Sequence, residues 1–304
     1  MKNTSLIKKI LELKKERKAV ILVHNYQPPE VQDIADFLGD SLELSRKAAQ
    51  TDAEIIVFCG VHFMAETASI LCPDKKVLMP DISAGCPMAN MVDVISLRKM
   101  KEKHPSALVL SYVNTTAEVK AESDICCTSA NAIKVVQSLD SDIEIIFVPD
   151  KYLGQYVISQ TGRKMILWDG YCPVHAKILV DDILKQKREH PDAEVIVHPE
   201  CTPDVIKLAD KVLSTNGMCR YAKETRNKEL IVGTEVGIIY RLQKENPDKK
   251  FYPASELAIC PNMKLGSLEK VLWVLEDIKN EVKVPKEIQL KAIQPVNKML
   301  SITG

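Results

Sequence analysis

Three segments of the chain repeat a single pattern. They begin at Ala19 (AVILVHNYQPPEVQDIADFLGDS), Ala107 (ALVLSYVNTTAEVKAESDICCTS) and Ala193 (AEVIVHPECTPDVIKLADKVLST), at spacings of 88 and 86 residues. Each runs from an apolar stretch through a polar turn into a short helical pattern ending in Ala-Asp or Ser-Asp. His24, Tyr112 and His198 end the first apolar run, and two residues on lie Tyr26, Asn114 and Glu200. Twelve residues past the run lie Asp36, Asp124 and Asp210, and seventeen past it Ser41, Ser129 and Thr215. A second apolar run follows (EIIVFCG, EIIFVPD, LIVGTEVG), and each copy reaches a Cys-Pro dipeptide, at Cys86, Cys172 and Cys260, 60 to 62 residues past its strand end.

A period this long excludes a solenoid of short repeats. Apolar runs alternating with amphipathic helices imply layered βαβ units. The expected fold class is therefore α/β: three similar small sandwich domains around a pseudo-threefold axis, with the active site at the centre. The expected units are 18–105, 106–191 and 192–281. The segments 1–17 and 282–304 are expected to form terminal helices packing together on the core. ISLRKMKEKHP and ILKQKREHP close the first two units as charged helices ending in His-Pro, and GSLEKVLWVLEDIKN closes the third.

Composition narrows the function. Of the 304 residues, 41 are Lys or Arg and 41 are Asp or Glu, a balance that argues against a general nucleic-acid binder. No stretch approaches the roughly 18 apolar residues of a membrane span, and the charged opening segment has no secretory apolar core. A cytoplasmic setting, where thiols stay reduced, is expected. The nine cysteines are an odd count with no Cys-x-x-Cys, which does not suit a disulfide framework. Cys59, Cys126 and Cys127 lie in or beside apolar runs and read as buried small hydrophobes.

In parallel α/β sheets, ligands bind beyond the carboxyl ends of the strands. Residues two apart on an extended chain project to one side, so His24 with Tyr26, Tyr112 with Asn114, and His198 with Glu200 point toward one cavity. Ser41, Ser129 and Thr215 precede helical patterns and read as N-caps whose helix ends also suit anions. One thiol per unit brings Cys86, Cys172 and Cys260 to the axis as three metal ligands. Three thiolates with an open position suit a 4Fe–4S cluster or a zinc with bound water. An incomplete ligand set implies that substrate completes it and that the metal acts as a Lewis acid. Three rival readings stay open on the residues alone: another cluster-dependent hydro-lyase, an iron–sulfur carrier and a metal-free ligand-binding protein. His175, in CPVH, reads as a contact to substrate or backbone, and His62 as a loop residue.

The motifs VHNYQ, DIADFLGDSLELSRKA, GVHFMAET, GCPMAN, SYVNTTAE, TSANA, CPVH, IVHPEC, STNGM and ICPNMK, in this order, resemble the quinolinate synthase family from about residue 18 to 300. The resemblance implies condensation of iminoaspartate with dihydroxyacetone phosphate to quinolinate, with release of phosphate and two waters, in NAD biosynthesis. It implies one 4Fe–4S cluster on Cys86, Cys172 and Cys260 with one open iron. It places His24, Ser41, Tyr112, Asn114, Ser129, His198, Glu200 and Thr215 around substrate. Glu200, Tyr112, His198 and Tyr26 are the expected catalytic groups. L-aspartate oxidase or aspartate dehydrogenase is the implied source of iminoaspartate. Two positions depart from the family pattern, Tyr171 where His is frequent and Asn216 where Gly is usual. The Cys-x-x-Cys-x-x-Cys redox element of some members is absent near Cys260.

Overall fold

The repeated apolar runs become the strands of three separate parallel sheets in the computed structural model, which describes residues 2–302. The first sheet contains β1 (Ala19–His24), β2 (Phe37–Gly39), β3 (Ile55–Cys59) and β4 (Lys76–Leu78), in spatial order β2-β1-β3-β4. The second contains β5 (Leu108–Tyr112), β6 (Ile125–Cys127), β7 (Ile145–Val148) and β8 (Ile166–Leu167), in order β6-β5-β7-β8. The third contains β9 (Glu194–Val197), β10 (Lys211–Val212), β11 (Glu229–Gly233) and β12 (Lys250–Pro253), in order β10-β9-β11-β12. One strand order recurs three times, as the repeat requires.

Both faces of each sheet are covered, which is why the strands read as continuous apolar runs rather than alternating ones. Val20, Leu22, Ile56 and Phe58 of the first sheet turn inward to a central core shared with Leu110, Phe147, Ile196 and Val232. Their neighbours Ile21, Val23, Val57 and Cys59 turn outward, under Ile10 of the helix Lys2–Glu16 and Val271 and Leu275 of the helix Leu268–Asp277.

That last contact belongs to a cyclic arrangement. The helix Val94–Lys103, which closes the first sequence unit, packs Leu97 on Val109 and Ile146 of the second sheet. The helix Val180–Glu189, closing the second unit, packs Ile183 on Val195 and Ile231 of the third. The helix Leu268–Asp277 completes the ring on the first. Each sheet thus takes one outer cover from the preceding sequence unit, and the apolar faces lock the three units together. The terminal helices are anchored on different surfaces rather than paired as a layer. The first lies on the helix Leu268–Asp277 and β1, and the last, Lys286–Ser301, on the helices Ala117–Ala121 and His62–Leu71 and on β6.

The aspartates in register have a structural task. The Asp36, Asp124 and Asp210 carboxylates accept the backbone N–H of Ile21, Val109 and Val195, each at 2.8 Å. Their own N–H groups return bonds to the carbonyls of the same three residues. Each aspartate therefore pins the central strand beside the short outer strand that it introduces, away from the carboxyl ends. Replacing Asp124 or Asp210 by Ala strands a strand N–H and is expected to cost about 1–3 kcal/mol of unfolding free energy, read by urea denaturation. A change within error would remove this role.

Candidate active site

The carboxyl ends of β1, β5 and β9 open on one cavity. All twelve residues singled out from the sequence line it: His24, Tyr26, Ser41, Cys86, Tyr112, Asn114, Ser129, Cys172, His198, Glu200, Thr215 and Cys260. Met64 and Met263 also reach it. The strand order places the β1–β3, β5–β7 and β9–β11 crossovers, the usual ligand-binding crevices of such sheets, on the same side.

Glu200 sits at the centre and is almost fully buried. Tyr112 donates its hydroxyl to Oε1 at 2.6 Å, and His175 Nδ1 lies 2.8 Å from Oε2. Burial opposes ionisation of Glu200, but His175, His198 and the Tyr112 hydroxyl outweigh it and hold the carboxyl well below the usual range. The other nitrogen of His175 reaches Thr234 Oγ1 at 2.8 Å, and the Tyr26 hydroxyl meets the same oxygen at 2.5 Å. A continuous hydrogen-bonded path therefore joins Tyr26, Thr234, His175, Glu200 and Tyr112. Burial raises both tyrosines well above their ordinary pKa, so each keeps its proton.

His24 and His198 are placed alike. His24 Nδ1 accepts the N–H of Tyr26 at 3.2 Å, and His198 Nδ1 accepts that of Glu200 at 3.3 Å. The proton of each neutral ring is thereby assigned to Nε2, which in His198 lies 3.1 Å from Ser129 Oγ. Burial lowers both pKa values to about 3. Asn114 Oδ1 is buried with no protein partner, an acceptor left for a ligand N–H.

The three cysteines occupy matching loops, each just ahead of a single helical turn: Met88–Met91, His175–Lys177 and Asn262–Lys264. Backbone N–H groups of those turns face the sulfurs: Met88 and Ala89 for Cys86, His175 for Cys172, Asn262 and Met263 for Cys260. Burial pushes the Cys86 thiol up to about 12 and raises the other two. Three soft donors lining one cavity, each met by peptide N–H groups that stabilise thiolate, fit a thiolate-bound metal centre. Cys172, His175 and Glu200 also bring donor atoms within 4.8 Å of one another. These atoms already bond each other, with His175 Nδ1 3.2 Å from Cys172 Sγ and 2.8 Å from Glu200, so they need no ion to satisfy them.

Several expectations change. The caps of the helices Ser41–Gln50, Ala132–Gln137 and Thr215–Glu224 are Asp40, Asn131 and Ser214, not Ser41, Ser129 and Thr215. Asp40 accepts from Leu42 and Glu43 N–H at 3.1 and 3.0 Å, and Ser214 from Gly217 N–H at 3.2 Å. Asn131 makes no side-chain cap bond and accepts from Thr128 N–H instead, and Ser41, Ser129 and Thr215 line the cavity. His62 begins the helix His62–Leu71 rather than lying in a loop. Sequence reasoning missed Thr234, Glu235 and the central place of His175. CPVH was the one available signal for His175, and Thr234 has no hydroxyl counterpart in the other repeats, where Gly60 and Pro149 stand.

A cavity shared by three α/β units, with a buried acid–base network facing three thiols, is the architecture of an enzyme. Comparison with known proteins gives the family. A model of the family described as quinolinate synthetase A protein matches residues 8–301. The chain is 61% identical over 294 residues to a quinolinate synthase of Dehalococcoides mccartyi strain CBDB1, covering 97% of each chain. It is 55% identical over 302 residues to the quinolinate synthase of Methanosarcina barkeri strain Fusaro, covering 99% of each. The chain belongs to the quinolinate synthetase A family. Among the described residues no helix is long and apolar enough to cross a membrane.

His24 and His198 give the site a pH signature. Both stay neutral in the fold down to pH about 3, whereas unfolded histidines charge below about 6.5. Between those values the unfolded chain binds more protons, so stability falls as pH drops. Thermal melts of the metal-free protein are expected to decline from pH 6.5 toward 4, more steeply than those of a His24→Gln/His198→Gln variant. Parallel slopes would remove these two histidines as the cause.

Proposed function

We propose that the chain is a quinolinate synthase that condenses iminoaspartate with dihydroxyacetone phosphate and releases phosphate and two waters, serving NAD biosynthesis. The observation that carries the reading is the meeting of Cys86, Cys172 and Cys260, one from each repeat, with the Glu200 network in a single cavity. Family membership supports this reading of the reaction.

The chain's own groups suit this chemistry. Glu200, held ionised, is the principal base for the imine–enamine condensation, and Tyr112 moves a proton on its Oε1 side. Tyr26 is a protonated hydroxyl with a return path through Thr234 and His175 to Glu200. His24 and His198, neutral and carrying hydrogen on Nε2, donate to substrate oxygens without adding charge. Ser41, Ser129 and Thr215 present hydroxyls from the cavity wall to carboxylate or phosphate. Asn114 Oδ1 accepts the substrate N–H. Cys86, Cys172 and Cys260 would hold a 4Fe–4S cluster, which would supply Lewis-acid polarisation of a substrate hydroxyl or carboxylate. The implied iminoaspartate source is L-aspartate oxidase or aspartate dehydrogenase, and the expected setting is the cytoplasm.

Two experiments test the reading. Anaerobic reconstitution should give about four iron and four sulfide per chain and quinolinate from the two substrates. Cys86→Ser, Cys172→Ser and Cys260→Ser should lose the cluster, whereas Cys59→Ser, on a strand, should keep it. Glu200→Gln should lower kcat by about 100-fold or more. Wild-type turnover in that variant would overturn the base assignment.

A further inference from the structure

The residue two past the paired end of β3, β7 and β11 differs between repeats. Cys59, Val148 and Gly233 pair with Val23, Ser111 and Val197 at equivalent ladder positions. Two residues on stand Val61, Asp150 and Glu235. Val61 is apolar, and Asp150 caps the helix Lys151–Thr161 through the N–H groups of Tyr152 and Leu153. Glu235 does neither.

Glu235 is completely buried in the cavity wall. Oε1 accepts the backbone N–H of Cys260 at 3.1 Å and Lys264 Nζ at 2.8 Å. Oε2 accepts the N–H of Gly237 at 2.8 Å and Lys264 Nζ at 3.1 Å. Lys264 also donates to the backbone carbonyl of Tyr26, in the first unit. Both carboxylate oxygens are thus occupied, which leaves Glu235 no free lone pair for substrate chemistry. The contact is tight. A Cβ on Gly237 would stand 2.5 Å from Lys264 Nζ, 2.8 Å from Glu235 Oε2 and 2.8 Å from the Tyr26 oxygen. Gln32 Nε2 ties the same two segments from the other side, donating to the carbonyls of Gln27 at 2.8 Å and Gly237 at 3.0 Å.

We propose that Glu235, acting through Lys264, is a positioning residue that locks the Cys260 loop of the third unit to the Tyr26 backbone of the first. One ion pair, its carboxylate fully buried and its ammonium half-buried, then sets both the thiol site and the start of the proton path. The inference rests on the proposed function for the roles of Cys260 and Tyr26, and the geometry of the lock stands apart from it. Desolvation of the fully buried Glu235 carboxylate offsets much of its attraction to Lys264, so the pair acts on geometry more than on net stability. Small misplacements of reacting groups cost about 100-fold in rate.

The test compares wild type with Glu235→Gln, Lys264→Met and Lys264→Arg. In the metal-free protein, iodoacetamide labelling of Cys260 relative to Cys86 is followed by mass spectrometry. Glu235→Gln and Lys264→Met should raise that ratio about tenfold as the loop opens locally. In the reconstituted enzyme they should lower kcat about 10- to 100-fold with KM within about threefold, and Lys264→Arg should recover most of kcat. A wild-type labelling ratio with wild-type kcat overturns the lock. So does a kcat loss that follows only the urea stability of the metal-free chain, with labelling unchanged. A raised ratio in a protein whose wild type makes no quinolinate supports the lock and overturns the proposed function instead.

Discussion

An ionised carboxylate cannot be buried unless charge and hydrogen bonds compensate it, and Glu200 is buried where the three units meet. Its partners come from different repeats: Tyr112 from the end of β5, His175 from the turn after Cys172, His198 from the end of β9. Satisfying this one group fixes how the second and third units face each other. Through His175 and Thr234 it also fixes the hydroxyl of Tyr26, which belongs to the first.

The scaffold makes such a junction possible by its cyclic packing. Each closing helix covers the next unit's sheet, so the apolar burial that stabilises a unit also sets the neighbour's position. The three carboxyl edges are then held at one place without a covalent link or a long interdomain loop. The pinning aspartates complete the frame, because the strand ends that carry His24, Tyr112 and His198 extend directly from the strands they hold.

The division between symmetric and asymmetric features is informative. Threefold features are the strand order, the pinned strands and the Cys-Pro loops proposed above to hold the cofactor. The acid–base path breaks the symmetry. Its members, Tyr26, Thr234, His175, Glu200 and Tyr112, occupy positions whose counterparts are chemically different. A repeat can place ligands around a centre, but directing protons along one route requires unlike groups at like positions.

The architecture and the twelve cavity residues were legible in the sequence because strand period, repeat register and Cys-Pro spacing are local properties carried along the chain. Asp36, Asp124 and Asp210 were legible as a register but not as strand pins, since an in-register polar residue looks the same whether it faces a ligand or a backbone N–H. The helix caps were misassigned by one residue at Asp40 and Ser214, because neighbouring acceptors compete for the same donors and only the backbone decides between them, and by two at Asn131, where the helix starts later and no side chain caps it. The central place of His175, the role of Thr234 and the Glu235–Lys264 lock depend on side chains from distant parts of the chain meeting across units. So does the cyclic exchange of helices. The sequence determined the three units and the groups they offer; the packing of one unit's apolar face on the next decided which of those groups meet.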